Sequence, residues 1–300
     1  MNKFDFYKYQ GNGNDFIIID SRNNHLFRSL LSNKSFNVKK LCDRNFGIGA
    51  DGIIFIVNPD NDNDSRMIIF NSDGSEAEMC GNGIRCMIEY LNNQENSQIN
   101  KSEYRIETKA GLKVAKYNSG KITVRMGKPI FENKLIPTIM NKNINELLTD
   151  EFNYENFNIQ GYAVGMGNPH LIFFVEDLDL ISHEELGPVF ENNNLFPEKT
   201  NVHFCQIINS KKIIVKVWER GAGSTLACGT GACAIHVAAR KLSRCEAKTS
   251  IILPGGELFI EWNNTNDEVL MTGIANKVFK GNIASLALFS GDSDIFNLIP

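Results

Sequence analysis

The sequence predicts an α+β fold of two pseudo-symmetric, β-rich domains, each a sheet wrapped around one central helix. Three observations carry that expectation. Residues 79–86 (Met-Cys-Gly-Asn-Gly-Ile-Arg-Cys) are echoed by residues 227–233 (Ala-Cys-Gly-Thr-Gly-Ala-Cys), and Asn71 and Glu219 each lie nine positions before the leading cysteine. Upstream, Gly11-Asn12-Gly13-Asn14-Asp15-Phe16-Ile17 parallels Gly165-Met166-Gly167-Asn168-Pro169-His170-Leu171; downstream, residues 110–114 weakly parallel 256–260. Echoes in one order imply two similar halves of ordinary domain size. Finally, short β-branched and aromatic runs between turn signals outnumber stretches with helical spacing.

Strands are expected at 16–20, 53–57, 67–70, 104–108, 112–117 and 121–126, with helices near 37–45 and 83–92. In the second helix Ile84, Met87, Ile88 and Leu91 repeat at helical spacing. The second half repeats the pattern, with strands at 171–175, 202–208, 212–218, 250–253, 258–261 and 269–273. Its main helix should span 229–242, where Ala232, Cys233, Ala234, Ile235, Val237, Ala238 and Ala239 cover most of the circumference. A helix apolar nearly all round must be buried. Residues 131–158, rich in Asn and Glu, show little strand signal. The first crossing between the halves is expected at 128/129.

A hydrophobic content of 42% with 22% charged residues suits a globular chain able to bury two cores. Net charge is −4 and the pI about 5.8, with no basic run, so nucleic acid is not an expected partner. The N-terminal stretch lacks a signal-peptide pattern, and no apolar run approaches the roughly 20 residues that span a bilayer. A cytoplasmic location without membrane attachment is therefore expected. Seven cysteines, an odd number, argue against a disulfide scaffold. The sequence leaves a homodimer open.

Gly47-Ile48-Gly49-Ala50-Asp51-Gly52 matches a dinucleotide fingerprint in letters only: a helical segment precedes it and a strand follows, the reverse of what nucleotide binding requires. No Walker-type loop occurs. His25, His170, His183, His203 and His236 form no Cys/His cluster at metal-ligand spacing, so no metal is expected.

The chemistry concentrates at Cys80 and Cys228. Most free cysteines are small buried hydrophobes, yet these two each open a helix. There a thiol meets unpaired N–H groups and the positive dipole end, which lowers its pKa from about 8.5. The following glycines let backbone amides approach a carboxylate. Cys86 and Cys233 lie further along the same helices, and Cys42, Cys205 and Cys245 have no such setting; all five are read as structural. Two matched thiols suit a reaction with mirror-related faces, in which one thiolate removes an amino-acid Cα proton and the other thiol returns one. General acid–base catalysis contributes only about 10²–10⁴-fold. No lysine has an evident phosphate cradle for pyridoxal phosphate, so no cofactor is expected. Backbone N–H groups of Gly81, Asn82, Gly229 and Thr230, buried between two closing halves, are placed to stabilise the enediolate.

These residues resemble the diaminopimelate epimerases, cofactor-independent enzymes that interconvert LL- and meso-diaminopimelate. The resemblance runs over almost the whole chain, through the motifs at 11–16, 45–52, 71–76, 79–86, 166–170, 200–202, 218–223 and 227–233. It implies an active site between two pseudo-symmetric domains, with the last strand returning to the first, so that the division is 1–128 rejoined by 282–300, and 129–281. Cys80 and Cys228 then match the two acid/base thiols. Asn14, Asn71, Asn168, Asn201, Glu219 and Arg220 match residues holding the distal end of an amino-acid substrate, and Gly81, Asn82, Gly229 and Thr230 those cradling the reacting carboxylate. His170 and Glu219 match a polar pair that tunes the thiols. The implied pathway role is lysine and peptidoglycan precursor synthesis. Gly52, Ser224 and Lys199 depart from the family's usual side chains, and Gly52 leaves one distal contact in doubt.

Proline racemases and hydroxyproline epimerases also use two thiols, but carry a histidine where this chain has Asn82 and have no use for Arg220 among several Asn side chains. PhzF-like isomerases lack the thiol pair. From a different class, a redox-switch binding protein joining Cys80 to Cys228 would catalyse no Cα proton exchange.

Overall fold

The computed structural model describes residues 4–23, 37–93, 101–155, 157–262 and 267–283. His25 and residues 284–300 lie outside them. The chain divides into two compact units, one running from Met1 to Val124 and resuming at Ile274, the other Arg125–Gly273. The first of these divisions lies within strand β8 and the second just ahead of β19, a few residues before the expected 128/129 and 281/282.

The first unit contains β1 (Phe4–Gly11), β2 (Asn14–Asp20), α1 (Val38–Cys42), β3 (Gly52–Val57), β4 (Ser65–Asn71), β5 (Glu76–Ala77), α2 (Gly81–Asn92), β6 (Glu103–Thr108), β7 (Gly111–Asn118) and the start of β8 (Lys121–Gly127). The second contains β9 (Lys142–Ile144), β10 (Leu147–Tyr154), β11 (Phe157–Gly165), β12 (Pro169–Phe174), α3 (His183–Glu191), β13 (Asn201–Asn209), β14 (Lys212–Glu219), β15 (Gly223–Ser224), α4 (Gly229–Lys241), β16 (Lys248–Leu253), β17 (Gly256–Trp262) and β18 (Val269–Gly273). The last strand, β19 (Asn276–Ile283), belongs to the first unit.

Pairing repeats strand for strand. In the first unit β1 runs antiparallel to β2, β2 parallel to β3 across α1, β3 antiparallel to β4, and β4 parallel to β6 across α2. In the second, β11 runs antiparallel to β12, β12 parallel to β13 across α3, β13 antiparallel to β14, and β14 parallel to β16 across α4. Parallel neighbours require a crossover, and here each crossover is helical. One strand differs in origin. The outer partner of β11 is its hairpin neighbour β10, whereas the corresponding partner of β1 is β19, supplied by the far end of the chain.

Each long helix lies against the sheet of its own unit, α2 on β1, β2, β3 and β19, and α4 on β11, β12, β13, β16, β17 and β18. Gly81 through Ile88 are buried in α2, and only Thr230 interrupts burial from Gly229 to Ala239 in α4. The first unit packs Ile17, Ile19, Ile53 and Phe55 against Val38 and Leu41 of α1. In the second, Phe152, Phe173, Phe190 and Phe204 form a ring cluster, with Phe152 and Phe173 edge-on at 5.2 Å. Burying each such side chain stabilises by about 1.5–3 kcal/mol. Among the described residues no helix is long and apolar enough to cross a membrane.

Three expectations need correction. Residues 131–158 do carry strands: β9, β10 and the start of β11. Leu148 and Phe152 of β10 are buried while Asp150, Glu151, Asn153 and Tyr154 are not, so polar residues mask a strand whose register is set by pairing with β11. Helix α1 is shorter than 37–45, ending where Asp43 turns its carboxylate to the N–H groups of Asn45 and Phe46. Helix α3 and strand β1 went unread; Gly187 and Pro188 break the helical pattern in one, and polar Lys8 and Gln10 break up the other.

Burial fixes three histidines of the second unit as neutral. His170 is held well below the ordinary imidazole range by burial, then by His203 and Arg220. Burial takes His203 down to about 3, and burial with Arg240 takes His236 to about 4. Above about pH 6.5 neither folded nor unfolded chain protonates them; below it only the unfolded chain does, so stability falls with pH. Each contributes a slope of up to about 1.4 kcal/mol per pH unit. Denaturant midpoints should therefore drop between pH 7.5 and 5, and His236→Gln should flatten the decline; midpoints constant over that range would refute the assignment.

Candidate functional site

Cys80 and Cys228 occupy the same local structure in the two units. Each is the extended residue immediately before a helix, with φ and ψ of −136° and 121° at Cys80 and −116° and 108° at Cys228. Each Sγ accepts the backbone N–H three residues on, from Gly83 and Gly231, at 3.4 Å. The first helical bonds then close from Ile84 N–H to Cys80 O and from Ala232 N–H to Cys228 O, both 2.9 Å. The N–H groups of Gly81, Asn82, Gly229 and Thr230 precede those bonds, at helix tips whose dipole favours an anion.

The surroundings of Cys80 form an oriented amide relay. Asp51 can only accept, so the Asn14 amide nitrogen faces its Oδ2 at 2.8 Å and turns Asn14 Oδ1 toward Cys80. That oxygen accepts from Cys80 Sγ–H at 3.7 Å and from Asn82 Nδ2 at 3.3 Å. Asn82 Oδ1 in turn accepts from Arg85 Nη2 at 2.7 Å, while Arg85 Nη1 donates to Asn12 Oδ1 at 2.9 Å. Arg85 is fully buried. Behind Asp51, Asp15 pairs with Lys8 at 2.7 Å and with Arg44 at 2.8 Å. Burial alone would raise the Asp15 carboxyl, but hydrogen bonds from Arg44 and Lys8 outweigh it and hold Asp15 at about 2.

Asn71, exposed, turns its amide to Ser75 Oγ at 3.0 Å, without a bond to the relay. Gly52 pairs with it across the sheet, and a Cβ there would lie 2.5 Å from Phe70 O. The backbone therefore closes this position to a side chain.

In the second unit Cys228 is buried, with Thr230 Oγ1 3.6 Å from its Sγ. Burial, then Glu219, pushes its thiol well above the ordinary range. This reverses the expectation of a depressed pKa, because a desolvated thiolate beside a carboxylate loses more than the helix tip returns. Glu219 accepts from Thr225 Oγ1 at 2.5 Å. Asn201 is buried with both amide ends engaged: Nδ2 donates to Pro169 O at 2.8 Å, and Oδ1 accepts from Arg220 N–H at 3.0 Å. The Arg220 guanidinium donates to Glu198 O at 3.1 Å. Beneath this turn Glu191 accepts from Gly221 N–H and Trp218 Nε1, at 2.9 and 2.7 Å.

His170 Nε2 faces Asn168 Oδ1, and His170 Nδ1 faces His203 Nε2, both at 2.9 Å. An amide oxygen only accepts, so His170 carries its proton on Nε2, and Nδ1 must accept from His203 Nε2–H. His203 was not singled out in the sequence, nor were Asp15, Asp51, Arg85 and Glu191. Asp15, Asp51 and Arg85 stand inside noted motifs, whereas His203 and Glu191 act through contacts that spacing does not reveal. No Cys/His cluster stands at metal-ligand spacing in the sequence, yet the fold brings one ligand atom each of His170, His203 and Cys228 within 4.8 Å of one another.

Comparison with known proteins agrees with this architecture. The family profile described as diaminopimelate epimerase matches residues 6–132 and 162–278. A diaminopimelate epimerase of Prochlorococcus marinus (strain NATL2A) is 50% identical over 94% of this chain and 99% of its own. One from Trichodesmium erythraeum is 47% identical over 93% and 99%. A chloroplastic one from Oryza sativa is 44% identical over 92% and 79%. Among solved structures, a hydroxyproline epimerase from Agrobacterium vitis superposes with a TM-score of 0.66 at 12% identity, covering 94% of this chain and 91% of its own. A PhzF-family protein of Bacillus anthracis gives 0.63 at 17%, covering 95% and 100%. At such identities these two speak for the shared fold alone. The family profile and the relatives of near-equal length go further: this chain is an isomerase belonging to the diaminopimelate epimerase family.

Proposed function

We propose that this protein interconverts LL- and meso-2,6-diaminopimelate without a cofactor, by a two-base mechanism in which Cys80 and Cys228 are the catalytic residues. One observation carries the reading: the same cysteine cap, with the same S···H–N bond at 3.4 Å, opens the buried helix of each unit. Inversion at Cα needs a base on one face and an acid on the other. With its thiol protonated by burial, Cys228 is suited to give a proton while Cys80 takes one; the reverse reaction exchanges the roles.

The α-carboxylate of the substrate would rest on the N–H groups of Gly81, Asn82, Gly229 and Thr230, where a good oxyanion donor is worth about 2.7–4 kcal/mol to the enediolate. Asn14, Asn71, Asn168, Glu219 and Arg220 would receive the distal amine and carboxylate, Arg220 being suited to bidentate pairing. Asn201, its amide engaged by Pro169 and Arg220, would act by orienting the Arg220 backbone. His170 and Glu219 would set the protonation of Cys228. The product would serve lysine and peptidoglycan precursor synthesis in the cytoplasm. The domain assignment, a first half rejoined by the C-terminal segment, belongs to the same proposal, and a homodimer is compatible with it.

Replacing Cys80 or Cys228 by Ala should lower turnover by at least about 10²-fold, the usual range for a lost acid or base being about 10²–10⁴. A variant retaining near-full turnover would rule its cysteine out as a base. In D₂O, proton NMR of LL-diaminopimelate with reduced enzyme should show deuterium entering one α position with meso product, and none entering L-proline or trans-4-hydroxy-L-proline. Exchange confined to a proline would reassign the substrate. With limiting iodoacetamide and no substrate, the half-buried Cys80 should be alkylated before the buried, protonated Cys228; the opposite order by peptide mass mapping would contradict the assigned protonation.

A further inference from the structure

We infer that His170, His203 and Cys228 form a binding site for a borderline-soft divalent cation, with Zn²⁺ as its representative, which holds Cys228 as a metal thiolate and so blocks proton transfer by it. The three side chains are buried and come from β12, β13 and the cap of α4, with one ligand atom each within 4.8 Å of the others. Tetrahedral zinc separates two nitrogen ligands by roughly 3.3 Å, and nitrogen from sulfur by roughly 3.6 Å, given bonds of about 2.0–2.1 and 2.3 Å. The His170 Nδ1 to His203 Nε2 distance, 2.9 Å, needs to open only slightly, and the sulfur to approach by an ångström or so.

One further observation points to a ligand. His170 donates Nε2–H to Asn168 Oδ1, the outer hydrogen bond characteristic of a metal-ligating histidine, which leaves the Nδ1 lone pair aimed at the cluster. On His203 the buried Nδ1 has no hydrogen-bond partner, so a proton moved there becomes an unsatisfied donor whose cost the Nε2–metal bond must exceed. The proton can leave Nε2 for Nδ1 through solvent exchange and expose Nε2 as a ligand. The reaction balances without redox change: Zn²⁺ and the Cys228 thiol give the Zn–S bond and one released proton, both histidines remaining neutral. Glu219, which interacts with Cys228, adds the second negative charge that a divalent ion calls for, and a carboxylate oxygen or water completes the coordination. Gly231 keeps the space clear, since a Cβ there would lie 2.4 Å from His203 Cε1 and 3.1 Å from Cys228 Sγ.

This site stands on coordination geometry and goes beyond the epimerase reading, so its test uses no substrate. Reduced, full-length protein is titrated with Co²⁺ and followed by absorption. The expected result is one cobalt per chain, with a near-ultraviolet sulfur-to-cobalt charge-transfer band and intense tetrahedral visible bands, both abolished by Zn²⁺. Losing an outer partner of a metal site costs about 10–100-fold in affinity, so losing a ligand in His203→Gln should cost more than about 100-fold. Cys228→Ser should remove the charge-transfer band. Cys245→Ala, which removes the other Cys–His contact (Cys245 Sγ to His236 Nδ1, 3.8 Å), should leave it intact. Circular dichroism verifies that each variant is folded, and His170→Asn provides a second ligand deletion should His203→Gln unfold. A missing band at stoichiometric Co²⁺, a band surviving Cys228→Ser, or affinity unchanged by both histidine deletions would overturn the proposal. None of these outcomes bears on whether the enzyme epimerises diaminopimelate.

Discussion

A buried helix must satisfy the N–H groups of its first turn, and in both units of this protein the group assigned to that task is a thiol. Sulfur is a weak acceptor, and Ser, Asp or Asn would cap more strongly. Cysteine at both caps therefore gives up some helix stability. What it keeps is a reactive atom fixed by the backbone, 3.4 Å from the amide of Gly83 or Gly231, with two earlier amides at the same tip. The glycines are part of the arrangement. A Cβ at Gly231 would strike His203, and one at Gly83 would press on Ile54 and Ile69 at 3.1 and 3.3 Å. The apolar residues of each sheet hold the helix in place, so the position of each sulfur is a consequence of sheet packing.

The repeated pairing explains why one strand is borrowed from the chain's end. In the second unit the strand outside β11 is its own hairpin partner β10. Among the described residues no strand precedes β1, and β19 pairs the outer edge of β1, covering backbone groups of the kind that invite association. The return of the chain after Gly273 therefore completes a sheet, and the two units remain equivalent in strand pairing although their strands come from different places in the sequence.

The repeats, the buried helices and the capping cysteines were all legible in the sequence, because glycines and thiols at fixed offsets and a wholly apolar helix surface leave a local trace. Strands of alternating or continuous β-branched residues, such as Ile53 to Val57, were legible for the same reason. Strand β10 was not, since Thr149, Asp150, Glu151 and Asn153 suppress its apolar pattern and only its partner strand imposes register. Nor were the supports of the site. Arg85 reads as a surface cation until the fold buries it between Asn12 and Asn82, and His203 reads as one histidine in a strand until β12 lies beside β13 and brings His170 against it. The protonation of Cys228 was misread because a helix tip is visible in sequence whereas desolvation is not.

The two caps share a backbone, yet their side-chain surroundings differ in kind. Cys80 is half-buried beside an amide relay that ends in the cation Arg85; Cys228 is buried beside a neutral histidine pair and a carboxylate. The two-base mechanism proposed above would make use of this difference. Two thiols in identical surroundings would hold their protons equally, and the state with one thiolate and one thiol would be no better defined than its mirror. On that reading burial and Glu219 keep the proton on Cys228, while Cys80, whose Sγ–H lies on Asn14 Oδ1, gives up its proton before it acts as the base. On the proposed mechanism, divergence around a repeated backbone would give the two thiols distinct surroundings without removing the symmetry that reversible inversion uses.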